Sequence, residues 1–295
     1  MIVDLLNVST EDGLRLDGAL RTPAADVSPS LGADVVLCLH GTGSNFYASN
    51  MMASLTSAFV TAGTAALAAN TRGHDGISST NAPIGRRLQG AAYEIIDACC
   101  HDVTAWLALL RDRGYRRPAI LGHSLGAVKA IYSQVHRPEP DVAWIVAISP
   151  PRLSYSGFLE DSRAEEFLRD YGRAHDLVRH GRSRELIEIL FPLAYAISAE
   201  GYLDKYGPEE RYDILKLIPR VGCPLVMTYG TAELPTSAAF RGMPDAIANL
   251  PGGQRRQMMI VAGADHFYAG MYSELWSNVE LGLRRVAGTR AESST

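Results

Sequence analysis

Six short, nearly uninterrupted apolar runs punctuate the chain, at residues 35–39, 65–69, 119–121, 143–148, 225–228 and 258–261. A strand with one wet face alternates apolar and polar residues, so continuous runs of this length predict parallel strands covered on both faces. Helical patterns separate them, at about 50–62, 91–113, 125–136, 236–248 and 272–287. Within 91–113, Ile95, Cys99, Val103, Trp106 and Leu110 fall on one stripe, and Gly114 follows as a stop. Upstream, residues 2–8 and 13–20 alternate about the turn Glu11-Asp12-Gly13 and read as an antiparallel pair. The fold class expected is α/β, with an eight-stranded, mostly parallel sheet flanked by helices. The polar tail 288–295 is expected to fray.

One segment breaks the alternation. Residues 151–219, between the sixth and seventh strands, show no strand pattern; they are charge-rich and helical. They hold six of the thirteen tyrosines: Tyr155, Tyr171, Tyr195, Tyr202, Tyr206 and Tyr212. An insertion of this length in a compact sheet is expected to be a lid or small subdomain. The domain reading is therefore a core of 1–150 and 220–290, with a helical cap, 151–219, spliced into it.

Composition removes several classes of function. The chain has 295 residues, with 28 Lys and Arg against 32 Asp and Glu, a formal net charge of −4. That balance argues against a nucleic-acid partner, which would call for a basic face or tail. No uncharged apolar run approaches the roughly 18 residues of a membrane span, and Asp4 interrupts the region where a signal peptide needs an apolar core. The four cysteines, Cys38, Cys99, Cys100 and Cys223, lack zinc-ligand spacing and suit a reducing compartment. No His-Glu-x-x-His or comparable cluster appears, so neither a metal nor another cofactor is expected. A soluble, cytoplasmic protein acting on a small molecule is the expectation.

The sharpest motif is Gly122-His123-Ser124-Leu125-Gly126. It follows the strand at 119–121 and opens the next helix, which presents the Ser124 hydroxyl above the sheet beside a helix N-terminus. A serine hydroxyl needs a base to take its proton. His266, in Gly263-Ala264-Asp265-His266 just past the last strand, lies on the same sheet edge. His40 and His123 belong to the turns of their own motifs, His74 to a loop, and His101, His136, His175 and His180 to helix surfaces. The imidazole in turn needs an acid to fix its tautomer. Glu233, three residues after the glycine of Tyr229-Gly230 past the seventh strand, is placed to supply it, with Asp245 or a carboxylate of the insertion as alternatives. Asp265 is better placed to hold its own loop. For an oxyanion, His40-Gly41-Thr42-Gly43 after the third strand offers the backbone N–H of Thr42, and the N–H of Leu125 follows the nucleophile.

The order Ser124, Glu233, His266 on eight strands resembles the α/β-hydrolase superfamily, and the four motifs span nearly the whole chain. The resemblance implies Ser124 as nucleophile, His266 as general base, Glu233 as acid, Thr42 and Leu125 as oxyanion donors, and 151–219 as the cap. Serine at the nucleophile position sets the chain apart from haloalkane dehalogenases and epoxide hydrolases, which use Asp, and from dienelactone hydrolases, which use Cys. The expected activity is hydrolysis of a small to medium-sized carboxylic ester or thioester through an acyl-enzyme. The alternative is a lyase, perhydrolase or acyltransferase on the same site. The insertion lacks a broad apolar flap, so a substrate with polar groups is expected, bound in part by insertion tyrosines.

Overall fold

Eight strands form one sheet: β1 (Val3–Ser9), β2 (Arg15–Arg21), β3 (Val35–Leu39), β4 (Ala65–Ala69), β5 (Pro118–His123), β6 (Ile145–Ile148), β7 (Leu225–Gly230) and β8 (Arg256–Val261). The structure, a computed structural model, describes residues 3–81 and 85–292. The spatial order is β1-β2-β4-β3-β5-β6-β7-β8. Strands β1, β2 and β4 pair antiparallel, and every pair from β4 onward is parallel. All residues of β3, β5, β6 and β7 are buried, whereas β1 and β2 alternate, as their sequence patterns require.

Two apolar layers explain why the central strands carry no polar face. Leu37, Leu39, Ile120 and Ile145 pack with Val103, Trp106 and Leu110 of α2 (Cys99–Asp112) and Val128 and Ile131 of α3 (Leu125–His136). The alternate residues Val36, Cys38, Leu121 and Val146 face α1 (Asn50–Thr61) and the C-terminal helix (Tyr272–Glu292), through Leu55, Phe59, Leu275 and Val279. Because β4 and β5 flank β3 on opposite sides, the loops after β3 and β5 diverge and leave a crevice at the carboxyl ends. No helix among the described residues is long and apolar enough to cross a membrane.

Beyond an added antiparallel ribbon of Ser78–Asn81 with Arg86–Gln89, four elements depart from the sequence pattern. Helix α2 begins at Cys99, not near residue 91, after a single 3-10 turn at Ile96–Ala98. Its entry is tied down by the insertion: Asp204 Oδ2 accepts the Ile96 N–H and the Tyr212 hydroxyl accepts the Asp97 N–H, both at 2.9 Å. The stretch expected as a helix over 236–248 is helical only at Met243–Ala248, where left-handed Gly242 and Pro244 set a late start. The C-terminal helix continues to Glu292, so residues 288–292 are not frayed coil, and 293–295 lie outside the described residues.

The fourth departure is in the insertion, which is not purely helical. Besides α4 (Tyr155–Leu159), α5 (Ala164–Arg179), α6 (Ala199–Tyr206) and α7 (Ile214–Leu217), it holds an antiparallel ribbon, Leu186–Ile189 with Tyr195–Ser198. Only Ile187 and Ile189 of the first strand are buried, a two-residue signal too brief to stand out among charges. The tyrosines largely pack: Tyr202 and Tyr212 are buried, Tyr155 meets Phe167 and Phe158 meets Phe191 edge to face, Phe167 also lies against Tyr202, and Tyr212 lies against Tyr132 of α3.

Candidate active site

Ser124 occupies the step from β5 to α3 with φ 54° and ψ −123°, a strained conformation for a residue with a side chain. Such a residue costs on the order of 1–3 kcal/mol, which its surroundings must offset. Its N–H donates to the Ile148 carbonyl at 2.9 Å, and its carbonyl accepts from Ala127 at 3.0 Å. The flanking glycines are required by contact. A Cβ on Gly122 would lie 2.2 Å from the Gly126 carbonyl oxygen, and one on Gly126 would lie 2.4 Å from that of Leu39.

His123 and His40 are structural. The His123 Nε2–H donates to the His266 carbonyl at 2.8 Å, tying the turn before Ser124 to the loop after β8. His40 Nδ1–H donates to the Gly41 carbonyl at 2.8 Å while Nε2 accepts the Thr71 N–H at 3.0 Å, tying the loop after β3 to that after β4. Burial pushes both imidazoles down to about 3, so both stay neutral in the fold. The unfolded chain protonates them near pH 6.5, so below that pH it binds more protons than the folded chain and stability is lost as pH falls. The slope approaches about 1.4 kcal/mol per pH unit for each histidine. Denaturation midpoints measured from about pH 8 to 4.5, above most carboxylate titration, should therefore drop steeply below about 6.5. A flat profile there would contradict the neutral assignment.

His266 follows β8 and Glu233 follows β7, and the two loops touch so closely that a Cβ on Gly230 would lie 2.2 Å from the Ala264 carbonyl oxygen. His266 Nδ1 is 2.8 Å from Glu233 Oε2; with a carboxylate as acceptor, Nδ1 carries the proton and Nε2 is left as an acceptor. The imidazole is wedged between the rings of His123, Phe240 and Phe267, at centroid distances of 4.8, 5.0 and 5.2 Å. Asp265 holds the loop, its Oδ1 accepting the N–H groups of Phe267 and Ala269. Asp245 lies in the first turn of α8 (Met243–Ala248) and makes no contact with His266.

Glu233 is 1% exposed, and its second oxygen is also occupied. Oε1 accepts from the Ser149 hydroxyl at 2.6 Å and from the Gly230 N–H at 2.8 Å. Ser149 is in turn 3.0 Å from the Tyr268 hydroxyl, which meets the Thr228 hydroxyl at 2.9 Å. Sequence reasoning missed Ser149, Tyr268 and Thr228. The available signal was positional: Ser149 directly follows β6, at the same sheet edge as His40 and Ser124.

Ser124 and His266 line the same two cavities, of about 350 and 290 Å³, which meet at Thr42, Ser124, Leu193 and His266. No hydrogen bond joins Ser124 to His266 in this geometry. The larger cavity extends over Ser44, Asn50 and Tyr272 of the core. The smaller runs beneath the insertion, between Leu153, Pro192, Lys205, Tyr206 and Phe240. Thr42 and Leu125 border it, and among the described residues neither backbone N–H has a protein acceptor. Of the six insertion tyrosines, Tyr206 lines the smaller of these two cavities and the other five line neither. Among the described residues, no cluster of three or more His, Cys, Asp or Glu side chains is placed to hold a metal ion.

Comparison with known proteins agrees with this architecture. A family profile described as "Alpha/beta hydrolase family" matches residues 36–289. No curated protein matches the sequence. Among solved structures, the chain is similar to the alpha/beta hydrolase GrgF from Penicillium sp. sh18, at 14% identity and TM-score 0.71, covering 97% of this chain and 99% of that one. Est1E from Butyrivibrio proteoclasticus, solved with ferulic acid bound, matches at 11% identity and TM-score 0.66, over 96% and 99% of the two chains. The Pyrococcus furiosus esterase Pf2001 matches at 17% identity and TM-score 0.62, over 96% and 91%. At these identities the likeness speaks to the fold.

Proposed function

Since the chain belongs to the Alpha/beta hydrolase family, we propose that it is a serine hydrolase that cleaves a small to medium-sized carboxylic ester or thioester through an acyl-enzyme. One observation carries this reading. A Glu233–His266 hydrogen bond ends at the cavity that holds Ser124 and two unpaired backbone N–H groups. Ser124 Oγ attacks the substrate carbonyl while His266 Nε2 takes its proton, a contact made as substrate binds. The N–H groups of Thr42 and Leu125 donate to the developing oxyanion. Collapse breaks the bond to the alcohol or thiol, which leaves with the proton from His266. Water, deprotonated by the same nitrogen, then attacks the acyl carbonyl, and the acid departs as the proton returns to Ser124.

In this reading residues 151–219 are the cap, roofing the smaller cavity with Leu153, Pro192, Lys205 and Tyr206. The thiols of Cys38, Cys99 and Cys100 are buried and line neither cavity, and burial pushes Cys38 up to about 12; free thiols of this kind suit a reducing cytoplasm. A series of activated aryl esters of rising acyl length tests the assignment. Cavities of this size predict kcat/KM highest for short to medium acyl groups and about tenfold or more lower for a twelve-carbon chain. A preference that climbs with chain length would contradict it, as would hydrolysis of none of the esters.

A further inference from the structure

Among the residues lining the two cavities, Lys205 is the sole lysine or arginine. It projects from α6 of the insertion and is 3% exposed. Among the described residues its one hydrogen bond is to the Tyr195 hydroxyl, at 2.9 Å, which leaves two of its three donors unused. Two carboxylates lie in the field of this lysine and both are committed elsewhere: Asp204, which takes Arg211, the Tyr212 hydroxyl and the Ile96 N–H, and Glu94. Among the described residues, Glu94 is ion-paired with Lys129 and not with Lys205. The Glu94 and Lys129 side chains are fully buried, and Lys129 also donates to the Thr71 hydroxyl at 2.8 Å. Burial alone would raise the Glu94 carboxyl, but Lys129 and then Lys205 hold it below its ordinary value.

With Asp204 balanced by Arg211, the group sets two ammonium groups, Lys129 and Lys205, against the Glu94 carboxylate. His40 beside them is neutral and adds no charge. A buried charge without an ion-pair partner is unfavourable, and this one borders a cavity lined by Leu153, Pro192, Leu193 and Phe240 together with the hydroxyl-bearing Tyr206, Thr236 and Ser237. A single cation there matches a single negative charge, and no second lysine or arginine lines the cavity for a phosphate dianion.

Resting on the hydrolase reading above, we propose that Lys205 determines specificity and that the preferred substrate carries a carboxylate on the moiety that enters the smaller cavity. The carboxylate docks on Lys205 Nζ while the scissile carbonyl lies against Ser124. The charge can be on the acyl side, as in a half-ester of a dicarboxylic acid, or on the alcohol side, as in an ester of a hydroxy acid.

Two matched pairs separate these sources. The first is an aryl half-ester of glutaric acid against its ω-amide; the second is 4-acetoxybenzoate against 4-acetoxybenzamide. Wild type should favour the carboxylate over the amide in one pair by about tenfold to a hundredfold in kcat/KM, mainly through KM. In Lys205→Met that ratio should fall to within about twofold, and Lys205→Arg should keep part of it. Because the readout is a ratio within one preparation, a loss of folded protein does not imitate it. Equal rates for acid and amide in both pairs in wild type would overturn the proposal, as would a preference undiminished in Lys205→Met. Failure of the hydrolase reading shows differently: no member of either pair is turned over and Ser124 takes no covalent probe, which would remove both.

Discussion

Ser124→Ala is expected to lower kcat for an activated aryl ester by about 10⁵- to 10⁶-fold, with KM little changed. The size of the effect follows from what the substitution deletes. Without Oγ no acyl-enzyme forms, and His266 has no proton to take from the protein. The oxyanion donors and the cavity survive, and they leave a residual rate above that in water. The fold should also survive. The Ser124 side chain makes no hydrogen bond, and its backbone anchors, to Ile148 and Ala127, are unaffected by the substitution. Thermal unfolding of the variant should therefore resemble wild type. Substantial hydrolysis by the purified variant would assign the nucleophile to another residue.

Glu233→Gln should cost about 10⁴-fold in kcat while leaving the protein folded, because the amide cannot satisfy both of its neighbours as the carboxylate does. Glu233 Oε1 receives two donors, the Ser149 hydroxyl and the Gly230 N–H. The amide oxygen of a glutamine must take that position, since an NH₂ there would face the Gly230 donor. The NH₂ group is then turned toward His266 Nδ1, which has to become an acceptor. The ring proton moves to Nε2, and the nitrogen that faces the reaction can no longer receive the Ser124 proton. Turnover within about tenfold of wild type would show that Glu233 only holds the loop, and would return Asp245 or an insertion carboxylate to consideration.

The sheet was legible because the parallel strands carry continuous apolar runs, a pattern that burial of the central strands on both faces imposes and that little else produces. Ser124, Glu233 and His266 were visible for a related reason: each follows one of those strands, at the edge where side chains converge. What escaped reading depends on packing between distant segments. The start of α2 is set by Asp204 and Tyr212, more than a hundred residues downstream. Ser149 belongs to no motif, and its bond to Glu233 exists only because β6 and β7 are neighbours. Lys205 sits among the other basic residues of a charge-rich insertion. Nothing in its local sequence says that this lysine is buried over a cavity while other basic residues of the insertion, such as Arg182 and Lys216, are solvated. The short ribbon at Leu186–Ile189 is likewise held by partners at Tyr195–Ser198 and by two buried isoleucines, not by any local periodicity.

The central claim, that Ser124 is an activated nucleophile served by His266, is tested most directly by a fluorophosphonate probe, with the adduct located by peptide mass spectrometry. Stoichiometric label on the peptide carrying Ser124, abolished in Ser124→Ala and strongly slowed in Glu233→Gln, is the result expected. Label on any other residue, or none on folded wild-type protein, would contradict it.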